Sequence, residues 1–464
     1  MRSNKLIFLF PLSIPARSLE YGITAMSGLS PNCRVCGAFA LARKNQPQAD
    51  KQEQPKLTAA QLLAALGYLV DVTPGGCYYH AWRVALVSQR IAAAIAPDVQ
   101  RDIFYAGLLH DAGAVGAYKH ITRYILMRDQ IEDVHVRTHT QRGAALLNWL
   151  PGMSAAAQFV ATHHEWWDGR GYPDGRVGTM TPLGGFILGI TTTADTVGCF
   201  RSISNLRSCL SSIATMTGHV WPKEVWVALV RSMEDAEFYK TIADPNLLPE
   251  AISQKLKELP VPEELDNEKG AERVLHLFAA LVDIKDPSTA GHSLRTARRA
   301  KALAEHMGYS EADAHTAYQA GLVHDCGRLG VDTHTLNKAG RLSDKEMNDV
   351  RKHAQMTIEA LSCLPDAPGM AALGNIAGHD HERYDGMGYP DGLAGEEIHP
   401  ISRIISVVDA YDSMVASGKY RFLTPKGAVV RILQDAGKQF DPQVAEAMAE
   451  MVKDENIEVK LRAA

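Results

Sequence analysis

From Leu57 onward the apolar positions recur at helical spacing, and strand-like alternation is almost absent. Val350, His353, Thr357 and Leu361 fall on one face of a predicted helix, behind Ser343-Asp-Lys-Glu346, a capping box in which the serine and glutamate satisfy free amides at the helix start. Gly308 closes an earlier predicted helix, and Ser310 with Asp313 opens the next, which runs to His324. The β-branched run Thr191-Thr192-Thr193 is too short to argue for a sheet. The pattern predicts an all-α fold built as two tandem helical domains.

The tandem reading comes from repetition. His163-His-Glu-Trp-Trp-Asp-Gly-Arg-Gly-Tyr-Pro-Asp-Gly175 is echoed by Asp380-His-Glu-Arg-Tyr-Asp-Gly-Met-Gly-Tyr-Pro-Asp-Gly392. Upstream, Ala106-Gly-Leu-Leu-His110-Asp111 is echoed by Ala320-Gly-Leu-Val-His324-Asp325. The offset is 324 − 110 = 214 and 353 − 139 = 214, with 292 − 80 = 212 and 389 − 172 = 217 for the flanking landmarks. A period this long is a duplicated domain, not a solenoid repeat. The Pro- and acid-rich stretch 259–269 reads as a linker between domains at 57–258 and 270–456, behind a leader and linker at 1–56.

Composition narrows the functional classes. A net charge of −5 provides no basic footprint for a nucleic-acid duplex. No apolar run reaches the roughly 18 residues of a membrane span, so no membrane partner is expected. Met1–Ile14 has some features of a signal peptide, but Pro11 interrupts it, and Met26 is the expected true start. Seven cysteines, an odd number, argue for a reducing compartment and a cytoplasmic location. Cys33-Arg-Val-Cys36 lacks a second pair and reads as an ordinary tail.

The repeated histidines and carboxylates carry the chemistry. In the second half His292, the pair His324-Asp325, His353, His381 and Asp409 lie on different predicted helices or helix ends. Imidazole mixed with carboxylate suits iron, manganese or zinc, and so many ligands suit a two-metal site. Two such ions clamp the oxygens of a phosphoryl transfer and lower the pKa of a bridging water. The spacing thus points to hydrolysis of a phosphate ester. The Gly-rich Tyr-Pro loops let backbone approach a ligand, with Tyr172 or Tyr389 offering a ring and a hydroxyl.

At these residues the chain resembles the HD-GYP family of metal-dependent phosphodiesterases. The second half carries Gly291-His292-Ser293, His324-Asp325-Cys-Gly327, Leu336-Asn-Lys338-Ala-Gly340, Lys352-His353, His381-Glu-Arg383-Tyr-Asp-Gly386, Gly388-Tyr389-Pro390, Val408-Asp409-Ala410 and Gln439-Phe-Asp-Pro442. The resemblance implies an all-helical HD-type domain, an iron or manganese centre, and cleavage of a cyclic dinucleotide, cyclic di-GMP first and cyclic GMP-AMP second. It implies metal ligation by His292, His324, Asp325, His353, His381 and Asp409, and phosphate contacts from Lys338 and Arg383, with Tyr389 beside them. Ser288 stands where members with a third ion carry Glu, which favours two divalent ions while leaving a third position open.

Departures matter as much. Asp380 stands where the family has the first His of a pair; it can still bind a hard metal, with neighbouring His379 as a substitute. Arg328 replaces the lysine after His-Asp; it keeps a phosphate-binding charge in the catalytic group with His324 and Asp325 but cannot give up a proton. The first half keeps His80, His110, Asp111, His139, His163 and His164 as candidate ligands, yet Ala114 and Trp166 replace the basic residues. Its terminal Asp195 is out of register, with Thr191 at the strict distance. This half is expected to be a degenerate copy. The reading is a cyclic-dinucleotide phosphodiesterase working through the second half, with room for a homodimer. Its alternatives are an HD-type phosphohydrolase of mononucleotides and a non-catalytic sensor or scaffold.

Overall fold

Six helices occur twice, in the same order. The first set is α1 (Ala59–Asp71), α2 (His80–Ile95), α3 (Gln100–Leu109), α4 (His139–Asn148), α5 (Ser154–Thr162) and α6 (Leu183–Thr196). The second is α7 (Glu268–Lys285), α8 (His292–His306), α9 (Glu311–Val323), α10 (Asp344–Leu361), α11 (Pro368–Gly378) and α12 (Pro400–Ala416). The computed structural model describes residues 56–72, 76–117, 119–124, 127–416 and 423–463. The leader, Met26 and the Cys33–Cys36 pair lie outside them. Among the described residues the only β-type pairings are isolated bridges, so the all-α expectation holds.

The local signals behave as read. Ser343 and Glu346 form the reciprocal capping box of α10, and Ser310 accepts from the Asp313 amide at the start of α9. Gly308, at φ +81°, takes the left-handed turn just past α8. The predicted face of α10 buries His353, Thr357 and Leu361.

Helix α1 is apolar on nearly every side, and a helix of that kind must be covered all round. Leu62, Leu63, Leu66 and Leu69 are fully buried, because α1 packs on α2 and α3 of its own half and on α7 and α10 of the other. Residues 55–464 thereby form one compact unit with a continuous core.

Two glycine pairs explain how the helices that carry the repeated histidines come close. A Cβ on Gly107 would lie 2.5 Å from Ala85 of α2, and one on Gly321 would lie 2.6 Å from Ala297 of α8. These crossings bring the His-Asp ends of α3 and α9 against the first turns of α2 and α8. Two residues past each His-Asp pair, a Cβ on Gly113 or Gly327 would overlap the carbonyl of His139 or His353. Only a glycine lets the turn lie against that third helix.

Candidate metal centre

In the second half His292 is the first residue of α8, His324 caps α9 with Asp325 beside it, His353 sits within α10, Asp380 and His381 follow α11, and Asp409 lies on α12. Side chains from five helices therefore meet. Asp409 Oδ1 is 2.9 Å from His292 Nε2 and 3.9 Å from His324 Nε2. Asp325 lies between two groups: its Oδ2 is 3.6 Å from His324 Nε2 and 4.0 Å from His292 Nε2, while Oδ1 is 3.4 Å from His353 Nε2. His381 Nε2 is 3.0 Å from His353 Nε2.

The ring nitrogens facing away from the centre are occupied. His324 and His353 Nδ1 donate to the carbonyls of Gly321 and Val350, at 2.9 and 2.6 Å. His292 Nδ1 donates to Asp412 at 2.7 Å, and Arg295 holds that carboxylate in turn at 2.9 Å. Outer hydrogen bonds of this kind fix which nitrogen points at a metal. Asp412 was not singled out from the sequence; its position three residues after Asp409 on a helix was the available signal.

Four of the atoms facing inward have no hydrogen-bond partner. His324 Nε2, Asp325 Oδ2 and both Asp380 oxygens are buried without a hydrogen bond, as are both oxygens of Asp111 in the first half. An unsatisfied buried polar group costs about 1–3 kcal/mol, more when charged, so this concentration fits a site built for cations. The sets His292–His324–Asp409 and Asp325–His353–His381 each bring three ligand atoms within 4.8 Å of one another.

Charge interactions follow the geometry. Burial would lower the charged form of His292, but the hydrogen bonds to Asp409 and Asp412 lift its pKa to about 10. Burial, aided by neighbouring His381, pushes His353 down to about 3 and keeps it neutral, the form that binds metal. Burial works to raise Asp325, yet Arg328, His324 and His353 outweigh it and hold the carboxyl well below its usual range.

Asp380 is fully buried, and burial together with Asp409 and Asp325 raises its pKa well above the carboxylate norm. Its Oδ2 is 3.8 Å from His381 Nε2, so it faces the cluster. His379, the expected substitute, does not. It bonds Asn375 O at 2.5 Å and Asp391 at 3.0 Å, because the turn after α11 directs it to the loop. Glu382 explains the loop itself: its Oε1 accepts the amides of Asp391 and Gly392 at 2.7 and 3.0 Å. That seats Tyr389 on the His381 ring, 5.0 Å between centroids.

The expected phosphate contacts each carry a carboxylate partner. Lys338 is 2.7 Å from Glu346, Arg383 is 2.6 Å from Asp385, and Arg328 is 2.8 Å from Asp325. Arg351, which the sequence pattern did not flag, places its guanidinium 5.6 Å over the Tyr389 ring.

The first half builds the same frame. Asp111 Oδ2 is 3.3 Å from His110 and 3.6 Å from His80, its Oδ1 is 3.8 Å from His139, and His139 and His163 meet at 3.2 Å. Tyr172 stacks on His164 at 4.8 Å, and Glu165 pins its loop through the Asp174 and Arg176 amides. The sequence alignment of α6 needs correction. Asp195 bonds His80 Nδ1 at 2.6 Å and Arg83 at 2.6 Å, so it matches Asp412 rather than a displaced Asp409. Three residues earlier stands Thr192, not Thr191, in the place of Asp409. Thr191 is turned into the core, bonded to Ser88 at 2.6 Å. Thr192 Oγ1 is buried without a hydrogen bond.

The HD domain model matches residues 64–221 and again 276–444. The chain belongs to the HD domain family. Both HD regions coincide with the duplicated helices, and the relatives bear out the HD-GYP resemblance. The 3'3'-cGAMP-specific phosphodiesterase 3 of Vibrio cholerae is 32% identical over 304 residues, covering 65% of this chain and 63% of that protein. The cyclic di-GMP phosphodiesterase response regulator RpfG of Xanthomonas campestris is 32% identical over 183 residues, covering 39% and 48%. This chain thus spans less than two thirds of either relative's length. The crystal structure of a cyclic GMP-AMP specific phosphodiesterase from V. cholerae superposes with a TM-score of 0.61 at 24% identity, covering 86% of this chain and 98% of that one, which supports the tandem HD fold. Among the described residues no helix is long and apolar enough to cross a membrane.

Proposed function

We propose that the second HD half, residues 270–456, is a metal-dependent phosphodiesterase that hydrolyses a cyclic dinucleotide, and that the first half, residues 57–258, does not turn substrate over. The observation that carries this reading is the set of unsatisfied ligand atoms around Asp325, which faces His292 and His324 with one oxygen and His353 with the other. Two divalent ions, iron or manganese, suit a set of four imidazoles with Asp325, Asp380 and Asp409. Bound there, they would supply Lewis-acid polarisation of a phosphoryl oxygen and a water acidic enough to attack at neutral pH.

The chain's own residues do the rest. His292 is aimed by Asp412, and Asp325 is held by Arg328, so the ligands stand ready before binding. Lys338 and Arg383 would exchange Glu346 and Asp385 for phosphate oxygens, Arg383 through two parallel donors. Tyr389, stacked on His381, closes one wall of the centre. The reading places the protein in the cytoplasm, with no nucleic-acid duplex as partner.

Cyclic di-GMP is the substrate the sequence motifs suggest. The relatives matched over a stretch longer than one half favour the hybrid: 304 residues align with 3'3'-cGAMP-specific phosphodiesterase 3 and 370 with 3'3'-cGAMP-specific phosphodiesterase 1 of V. cholerae, against 183 with RpfG. The test is hydrolysis by the purified full chain in manganese or ferrous iron, offered cyclic di-GMP, 3'3'-cGAMP and a linear mononucleotide, with products separated by chromatography. Cleavage of either cyclic dinucleotide is the expected result. Turnover of the mononucleotide alone, or of nothing by metal-loaded protein, overturns it.

A further inference from the structure

The two halves have lost different ligands, and the losses fall on opposite sides of the bridging aspartate. In the first half His139, His163 and His164 gather ligand atoms within 4.8 Å of one another. His139 and His163 Nε2 stand 3.2 Å apart, and Asp111 Oδ1 is 3.8 Å from His139 Nε2. Ligands on a four-coordinate ion with metal–nitrogen bonds of about 2.0–2.1 Å sit about 3.4 Å apart, so the His139–His163 separation fits a shared ion that Asp111 would face beside His139. The rings are already aimed: His139 Nδ1 donates to Val136 O, His163 Nδ1 donates to Val160 O at 2.7 Å, and His164 is held flat against Tyr172. Both oxygens of Asp111 are buried with no hydrogen-bond partner.

On the other side His80 and His110 gather within 4.8 Å of that same Asp111, which the first set also needs, and neutral Thr192 stands where the second half has Asp409. The second half is the reverse, with His292, His324, Asp325 and Asp409 complete, and Asp380 in the place of His163.

We propose that the first half holds one divalent ion, enclosed by His139, His163, His164 and Asp111, as a structural site, whereas the second half holds two. This rests on the reading above that HD residues bind metal. Four protein ligands fill the shell of a zinc-type ion and leave no position for water or a phosphate oxygen, which distinguishes structural from catalytic sites. Three imidazoles with one carboxylate favour zinc, while the three carboxylates of the second half favour manganese or iron. The ion would tie α4, α5 and the first Gly-Tyr-Pro loop together without serving catalysis.

The experiment is elemental analysis of the full chain by mass spectrometry, before and after dialysis against a chelator. Wild type is expected to carry three ions per chain, with one, zinc, resisting removal. The double substitution His163→Ala with His164→Ala should remove that ion, leave two, and keep cyclic-dinucleotide turnover. Should this variant fail to fold by circular dichroism, wild type produced in zinc-depleted medium supplemented with cobalt(II) decides, since one tetrahedral cobalt incorporated during folding gives intense visible bands that the weakly absorbing higher-coordinate ions do not. Three ions retained by a folded double variant, complete stripping of wild type, or absence of those bands overturns the proposal. His324→Ala with Asp325→Ala separates it from the catalytic reading: loss of two ions with the chelator-resistant one retained supports both, whereas no loss sinks the catalytic reading alone.

Discussion

Arg83, Asp195 and His80 in the first half repeat the arrangement of Arg295, Asp412 and His292 in the second almost atom for atom, with histidine–carboxylate distances of 2.6 and 2.7 Å. One helical turn upstream on α6 and α12 the resemblance fails, Thr192 against Asp409. The carboxylate that orients the first histidine survives in both halves, and the carboxylate one turn before it in only one. A buried network that orients a helix is costly to disturb, because removing one member leaves the others unpaired. A ligand, or a lysine aimed at substrate, can be lost without unfolding anything. Under the proposed function, Trp166 for Arg383 is a loss of that second kind.

The contrast breaks most sharply at the His-Asp pairs. His324→Ala with Asp325→Ala should abolish cyclic-dinucleotide hydrolysis, a loss of at least about 10³-fold, since the ligated ions are asked for several kcal/mol of transition-state stabilisation. The matching change, His110→Ala with Asp111→Ala, should leave turnover within about threefold. Rates of the two variants measured side by side check this, and a dead first-half variant beside an active second-half one would mean the halves have been assigned the wrong way round.

A smaller effect tests the supporting residues. Asp412→Asn should cost about 10–100-fold in metal affinity or activity, the range for a group that orients a metal-binding histidine. Asp195→Asn, in the same position of the other half, should leave turnover of cyclic dinucleotide unchanged while lowering thermal stability, because Arg83 and His80 lose a buried partner. Metal titration and melting curves distinguish the two outcomes.

The gentlest probe is Arg383→Ala. Loss of one charge-assisted contact is worth about 1.5–3 kcal/mol, roughly 10–150-fold in kcat/KM, with metal content unaltered. Metal loss in this variant would show that Arg383 supports the centre rather than the substrate.

The sequence by itself determined the all-α class, the duplication and most of the histidines and carboxylates that meet at the centre, because histidine and aspartate recur at fixed offsets within helices whose ends are marked by caps and glycines. His324, Asp325 and His353 were legible for that reason, and so was the capping box of α10. Tertiary structure decided what spacing along the chain cannot encode. Which of Thr191 and Thr192 faces the centre depends on the rotation of α6 about its axis, set by packing of Ser88 against Thr191. Whether Asp380 or His379 turns inward depends on how the chain leaves α11, set by the Asp391 loop that captures His379. Asp195 and Asp412 acquire their role only where a histidine and an arginine from another helix close on them. Contacts between residues more than a hundred positions apart arise from helix crossings, and those are fixed by side-chain volume and glycine gaps across the whole core rather than by any local pattern.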